Sequence, residues 1–95
     1  MSLGDAALQA KLTVIDFTAT WCGPCRAIAP MFEALSKEID DVVFVKCDVD
    51  EAPGIAQRFS VSAMPTFVFV KAGAVVDRLQ GANPQRLREL IEEHM

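Results

Sequence analysis

Apolar residues along this chain follow two rhythms. Residues 13–17 are almost continuously apolar, interrupted by Asp16 alone, which is the pattern of a strand buried on both faces. Ile28, Met31, Phe32, Leu35 and Ile39 then recur at spacings of three and four, predicting a helix with one core face that starts at Pro24. Pro30 lies inside that helix and is expected to kink it, because it removes a backbone donor. Residues 42–47 read as a second buried strand, 50–54 as turn chemistry and 55–59 as a short helix. Residues 66–70 and 75–79 flank Ala72-Gly73, predicting a hairpin. Asn83 followed by Pro84 is an N-cap with proline in the first helical position, and Leu87, Leu90 and Ile91 form a closing amphipathic helix. Residues 4–11 are expected to add one short helix ahead of the first strand.

The order strand, helix, strand, helix, strand, strand, helix predicts an α/β fold. Strands separated by helices are expected to pair in parallel through right-handed crossovers, with an antiparallel final hairpin. The result is a mixed central sheet with helices on both faces. No repeat, low-complexity tract or flexible linker divides the chain, so residues 1–95 are read as one domain. Residues 1–4 are taken as extraneous to the natural chain or unstructured.

Ninety-five residues bury roughly 60–65% of the surface they expose unfolded, enough for a modest unaided core. No apolar run approaches the roughly 18 residues of a membrane helix, and residues 1–11 lack the segments of a secretory signal. The formal charge is −4, and basic residues such as Arg26, Lys37 and Arg58 stand singly. Neither nucleic acid nor an anionic membrane is therefore an expected partner. Three cysteines are too few for a disulfide-stapled mini-domain, which suits a reducing compartment where a cysteine pair does chemistry.

That pair is Cys22 and Cys25, within Trp21-Cys22-Gly23-Pro24-Cys25, between the end of a buried strand and the start of a helix. Unpaired N–H groups and the positive end of the helix dipole favour thiolate there, and thiolate is the nucleophile. A second cysteine three positions on can resolve a mixed disulfide. The same spacing is half of a zinc site. The only further ligands are Cys47 and His94, without finger spacing, so no metal is expected. Haem attachment needs histidine where Arg26 stands.

Asp16, amid Val14, Ile15 and Phe17, is expected to be buried with a raised pKa. It is either a structural acid satisfied by Lys46 or water, or a proton-transfer group. Cys47 reads as a small core residue rather than a regulatory thiol, and Trp21 as a surface residue. The acidic stretch 38–51 reads as a solvated face, and His94 as exposed and without a role. Met64-Pro65 alone would be an ordinary trans start to a strand.

Val14-Ile15-Asp16-Phe17, Trp21-Cys22-Gly23-Pro24-Cys25, Pro30, Met64-Pro65-Thr66, Gly73 and Gly81 resemble the thioredoxin family in identity and order, from about Leu12 to the last helix. Asp48-Val49-Asp50 and Gly81-Ala82-Asn83 resemble its eukaryotic cytosolic branch. The resemblance implies the thioredoxin fold and a thiol–disulfide oxidoreductase that reduces protein disulfides. By it, Cys22 attacks, Cys25 resolves and Asp16 is the buried acid behind Cys25, with Lys46 supporting proton transfer from the next strand. Pro65 would be cis, and Trp21, Gly23, Pro24, Met64, Pro65, Gly81 and Ala82 would form the substrate surface. A cytoplasmic monomer without bound cofactor is implied, recharged from NADPH by a thioredoxin reductase. The family ordinarily carries roughly ten more residues before the buried acid, so its first strand is expected to be missing here. A docking module of a larger protein is the alternative function. An oxidase or isomerase is disfavoured because no histidine lies between the cysteines.

Overall fold

The computed structural model describes residues 11–95. The helix expected over 4–11 (Lys11 apart), the reading of residues 1–4 and the missing first strand all lie outside the described residues. The elements are β1 (Leu12–Thr18), α1 (Gly23–Glu38), β2 (Val42–Asp48), α2 (Pro53–Arg58), β3 (Thr66–Lys71), β4 (Ala74–Gln80) and α3 (Pro84–His94). They make a four-stranded mixed sheet in the order β2-β1-β3-β4.

β1 is central and buried, as its composition demands. It pairs in parallel with β2, from Leu12 opposite Val42 to Thr18 opposite Asp48. On its other side it pairs antiparallel with β3, with Asp16 opposite Phe67. That direction corrects the expectation of parallel pairing between all helix-separated strands. The six-residue α2 advances only about 9 Å at 1.5 Å per residue, against about 23 Å for a seven-residue strand, so the helix is not by itself a return crossover. The chain does not return to the start of the sheet after β2. It enters β3 from the end where β1 and β2 finish.

β2 also departs from expectation. Among the described residues it has one neighbour, and only Val42 is buried, with Val45 and Lys46 exposed. A run of valines does not by itself distinguish a central strand from an edge.

Strand alternation divides the core in two. On one face Leu12, Val14, Phe67 and Phe69 meet Ile28, Phe32 and Leu35 of α1 and Leu87, Leu90 and Ile91 of α3. The Phe32 ring stands edge-on to Phe44 at 5.3 Å and tilted to Phe67 at 5.8 Å. On the other face Phe17 and Val68 meet Ala56 of α2, and Phe17 stacks on Phe59 at 5.6 Å. Helices thus cover both faces, α1 and α3 on one and α2 on the other. Asn83 caps α3 by accepting the Arg86 N–H at 3.0 Å.

β4 fastens both layers. Asp77 Oδ2 lies 2.9 Å from His94 Nε2 at the end of α3, and the His94 ring packs on Phe69. His94 is therefore partly buried and bonded, correcting its expected exposure; a residue near a chain end gives no pattern from which docking can be read. The His94 bond and then the Arg78 N–H hold the Asp77 carboxyl below the usual range, against the opposing effect of burial. The next side chain, Arg78, donates to the Phe59 and Ser60 carbonyls beyond α2. The β3–β4 register shifts between Phe69 and Val70, which oppose Asp77 and Val75, leaving Val76 unmatched as a bulge. Ala72 and Gly73 turn the hairpin with φ of 54° and 79°. Among the described residues no helix is long and apolar enough to cross a membrane.

The contrast between central and edge strands can be measured. Phe67→Ala removes a fully buried ring and is expected to cost about 3–5 kcal/mol, whereas Val45→Ala on β2 is expected to cost less than about 1 kcal/mol. Denaturant midpoints of the two variants check the ranking, and equal losses would contradict the edge position of β2 among the described strands.

Candidate active site

The buried strand β1 delivers the chain to the start of α1 through a four-residue turn. Ala19 is buried beneath it, and the Cys22 N–H closes it on the Ala19 carbonyl at 3.2 Å. Cys22 is extended, with φ −90° and ψ 112°, and occupies the N-cap of α1. Its Sγ accepts the Cys25 N–H at 3.2 Å, and its carbonyl accepts the Arg26 N–H at 3.2 Å. Sulfur thus takes the place of the usual capping oxygen. Gly23 and Pro24 open the helix, and proline contributes no N–H to compete for the sulfur. No acidic side chain sits in the first turn to neutralise the helix dipole. Arg26 folds back so that its guanidinium donates to the Thr20 carbonyl at 2.8 Å.

Cys22 and Cys25 are joined as a disulfide, with Cα atoms 5.2 Å apart. Both are buried, and Ala19 packs with them against Val49 and Met64. The Met64-Pro65 peptide is cis, as the resemblance implied. The Met64 carbonyl oxygen lies 3.7 Å from Cys22 Sγ. The Pro65 carbonyl accepts the Gly81 N–H at 2.9 Å, where Gly81 has φ 95°, a conformation that favours glycine. That bond brings the end of β4, with exposed Ala82, to the same rim as the cysteines. Thr66 Oγ1 donates to the Ala63 carbonyl and steadies the approach to the cis bond.

Trp21 is 63% exposed beside the disulfide. Its indole N–H donates to Asp50 Oδ2 at 2.8 Å, and the Asp50 N–H donates to Asp48 Oδ1 at 2.8 Å. Asp50 is a site residue that the sequence concealed. It sits among other acids in a stretch that reads as a solvated face, and no periodicity links it to a tryptophan 29 positions away.

Asp16 is 1% exposed and opposes Lys46 across the β1–β2 pair. Strand alternation places it on the face covered by α1, in line with Leu12 and Val14. Among the described residues its Oδ1 has no hydrogen-bond partner. Burial lifts its pKa from 3.8 to about 6, against the opposing pull of the Lys46 charge. A cleft of about 450 Å³ reaches Cys25 and Lys46 between Ala19 and Ala29. Cys47, on the opposite face, packs against the Phe17 cluster, and burial followed by the Asp48 charge pushes its thiol up. It lacks the environment of a reactive thiol.

The structure thus gathers Trp21, Cys22, Gly23, Pro24, Cys25, Met64, Pro65 and Gly81 at one end of the sheet, with Ala82 following at the rim. Asp16 is buried in β1, two residues before the strand ends, with Lys46 opposite it on β2.

Known proteins resemble this chain in sequence and fold. The thioredoxin family profile matches residues 4–93. Thioredoxin H5 of Arabidopsis thaliana is 52% identical over 90 residues, covering 95% of this chain and 76% of that protein. Thioredoxin-2 of Saccharomyces cerevisiae is 47% identical over 93 residues, covering 96% and 89% respectively. The X-ray structure of Fasciola hepatica thioredoxin superposes with a TM-score of 0.92 at 54% identity, covering 95% of this chain and 86% of that one. A profile that spans nearly the whole chain, with relatives near half identity, leaves one assignment: this chain belongs to the thioredoxin family of thiol–disulfide oxidoreductases.

Proposed function

We propose that the chain reduces protein disulfides with Cys22 as the attacking thiol and Cys25 as the resolving one. The observation that carries this assignment is the Cys22 sulfur at the N-cap of α1, accepting the Cys25 N–H at 3.2 Å. A reduced Cys22 at that position keeps the same donor and the dipole of a 16-residue helix, both of which favour thiolate. The thiolate attacks one sulfur of a substrate disulfide and expels the other as a thiolate. Cys25 then attacks Cys22 Sγ, closing the Cys22–Cys25 bond and releasing the second substrate thiol, so two electrons pass to the substrate. No bound cofactor takes part. The chain holds no dinucleotide fingerprint, and electrons from NADPH would arrive through a thioredoxin reductase.

Recognition is assigned to the rim around Met64. Its backbone pairs with an extended substrate strand, which tolerates many sequences. Trp21, Gly23, Pro24, Pro65, Gly81 and Ala82 supply the surrounding surface. Asp16 is assigned the proton of Cys25. A buried thiol loses its proton reluctantly, and a carboxyl with a pKa of about 6 is largely ionised at neutral pH yet basic enough to accept it. Lys46 moderates that pKa from the next strand. A cytoplasmic monomer fits the resemblance to the eukaryotic branch and the single unpaired Cys47.

Division of labour between the cysteines gives one expected outcome. Cys22→Ser abolishes turnover of insulin disulfides with a thioredoxin reductase and NADPH. Cys25→Ser instead accumulates mixed disulfides through Cys22, visible by mass spectrometry. A folded wild-type protein with no turnover against several reductases would refute the reductase assignment and leave the docking module.

Asp16→Asn separates chemistry from stability. In the wild type the unfolded chain gives up the Asp16 proton near pH 4 while the native state holds it until about pH 6. Stability therefore falls as pH rises through that window and stays lower above it, by about 3 kcal/mol at 1.36 kcal/mol per pKa unit. The variant escapes this loss, so its advantage is expected to be absent below about pH 4 and full above about pH 6. Its resolution step is expected to slow most between about pH 6 and the ordinary thiol pKa near 8.5, where the base is ionised and the thiol is not. Denaturant midpoints and single-turnover rates from pH 3.5 to 9 check both. Equal resolution rates throughout would leave Asp16 a structural residue only.

A further inference from the structure

The segment from Phe59 to Pro65 joins α2 to β3 and carries the Met64 carbonyl to the cysteines. Its far end is well held, by Gly81 N–H on the Pro65 carbonyl and by Thr66 Oγ1 on the Ala63 carbonyl. Its near end turns sharply. Ser60 has φ 56°, the left-handed region, and its N–H bonds the Gln57 carbonyl at 2.9 Å while the Val61 N–H bonds the Ala56 carbonyl at 2.9 Å. Those bonds use donors of the turn, and among the described residues the Phe59 and Ser60 carbonyls have no backbone partners.

Arg78 of β4 satisfies both. It opposes Val68 in the β3–β4 ladder, on the face that carries α2. One guanidinium nitrogen donates to the Phe59 carbonyl and the other to the Ser60 carbonyl at 3.3 Å. Guanidinium is suited to this because its donors are held in one plane, so two adjacent acceptors fix its orientation. Gly81, which holds the other end of the segment, lies three residues further along the same chain. One short stretch of β4 and its exit therefore pins both ends of the connection that presents Met64. The Phe59 ring, stacked on Phe17 of β1, ties the near end to the strand that leads into Cys22.

We infer that Arg78 is a positioning residue for substrate recognition, setting the height of the Met64 backbone over Cys22 by clamping the Phe59 and Ser60 carbonyls. The inference rests on the proposed pairing of substrate backbone with Met64. Its signature is a split between substrates. A protein disulfide that must dock as a strand depends on where Met64 stands. A small aromatic disulfide, which needs only an accessible Cys22, does not. Loss of positioning without loss of chemistry appears in KM rather than kcat.

The test compares wild type, Arg78→Ala and Arg78→Lys by steady-state reduction of insulin and of a small aromatic disulfide. It adds an extended disulfide peptide with and without a methyl on the backbone nitrogen that faces Met64. Arg78→Ala is expected to raise KM for insulin and the unmethylated peptide about three- to tenfold, with kcat and the small-disulfide rate nearly unchanged. Arg78→Lys, which keeps a donor for one carbonyl, is expected to recover part of the loss. Thermal melts identify the temperature at which all three proteins are fully folded, and the kinetics are compared there. Unchanged KM for the peptide in Arg78→Ala, or an equal fall for small and protein disulfides, would overturn the inference. Indifference of the wild type to methylation would instead overturn the backbone-pairing proposal beneath it.

Discussion

The site depends on a sulfur atom doing the work of a helix cap. An N-cap oxygen ordinarily satisfies one of the free N–H groups at the start of a helix. Here Cys22 Sγ receives the Cys25 N–H, so the atom that reacts is also the atom that starts α1. Strand β1 must end where it does for that to happen, because its last residues and the Ala19 turn set the entry of the chain into the helix. The buried stripe of α1, Ile28, Phe32 and Leu35, then fixes the helix on the sheet. Packing about two to four turns away thereby determines where the sulfur points. Reactivity and fold share one hydrogen bond, and neither can be adjusted without the other.

Asp16 shows the opposite relation. The same burial that makes β1 a good central strand raises the carboxyl to about 6, and no described protein group bonds Oδ1. A hydrophobic residue would serve the core better at this position. The fold tolerates the acid because the surrounding Phe67, Val14 and Leu12 are fully or almost fully buried and well packed.

Much of this was legible in the sequence. β1, α1 and α3 follow from uninterrupted or three-and-four apolar spacing, and the Cys22–Cys25 pair from its place at a strand-to-helix junction. The antiparallel entry of β3 was not, because the connection between β2 and β3 is long enough to lead either way and no apolar pattern chooses between them. The edge position of β2 was hidden because its valines read alike in either setting. Asp50, His94 and Arg78 were invisible for a common reason. Each acts across a gap of 17 to 29 residues through one or two polar contacts, and isolated contacts leave no periodicity. Pro65 was legible only by resemblance, since an isolated Met-Pro gives no reason to expect cis.

Adjacent Asp77 and Arg78 point to opposite faces of the sheet and seize α3 and the end of α2 respectively. Everything that β4 contributes to the active end comes after them, at Gly81. The hairpin tip at Ala72 and Gly73 comes before them, beyond the bulge at Val76, with open space around Gly73. Changes of length there are absorbed before the first fastening, so they leave the spacing from Arg78 to Gly81 intact. The tip is thus a splice point, where a foreign peptide, a reporter or a second domain fits into the chain without passing its disturbance on to the cysteines.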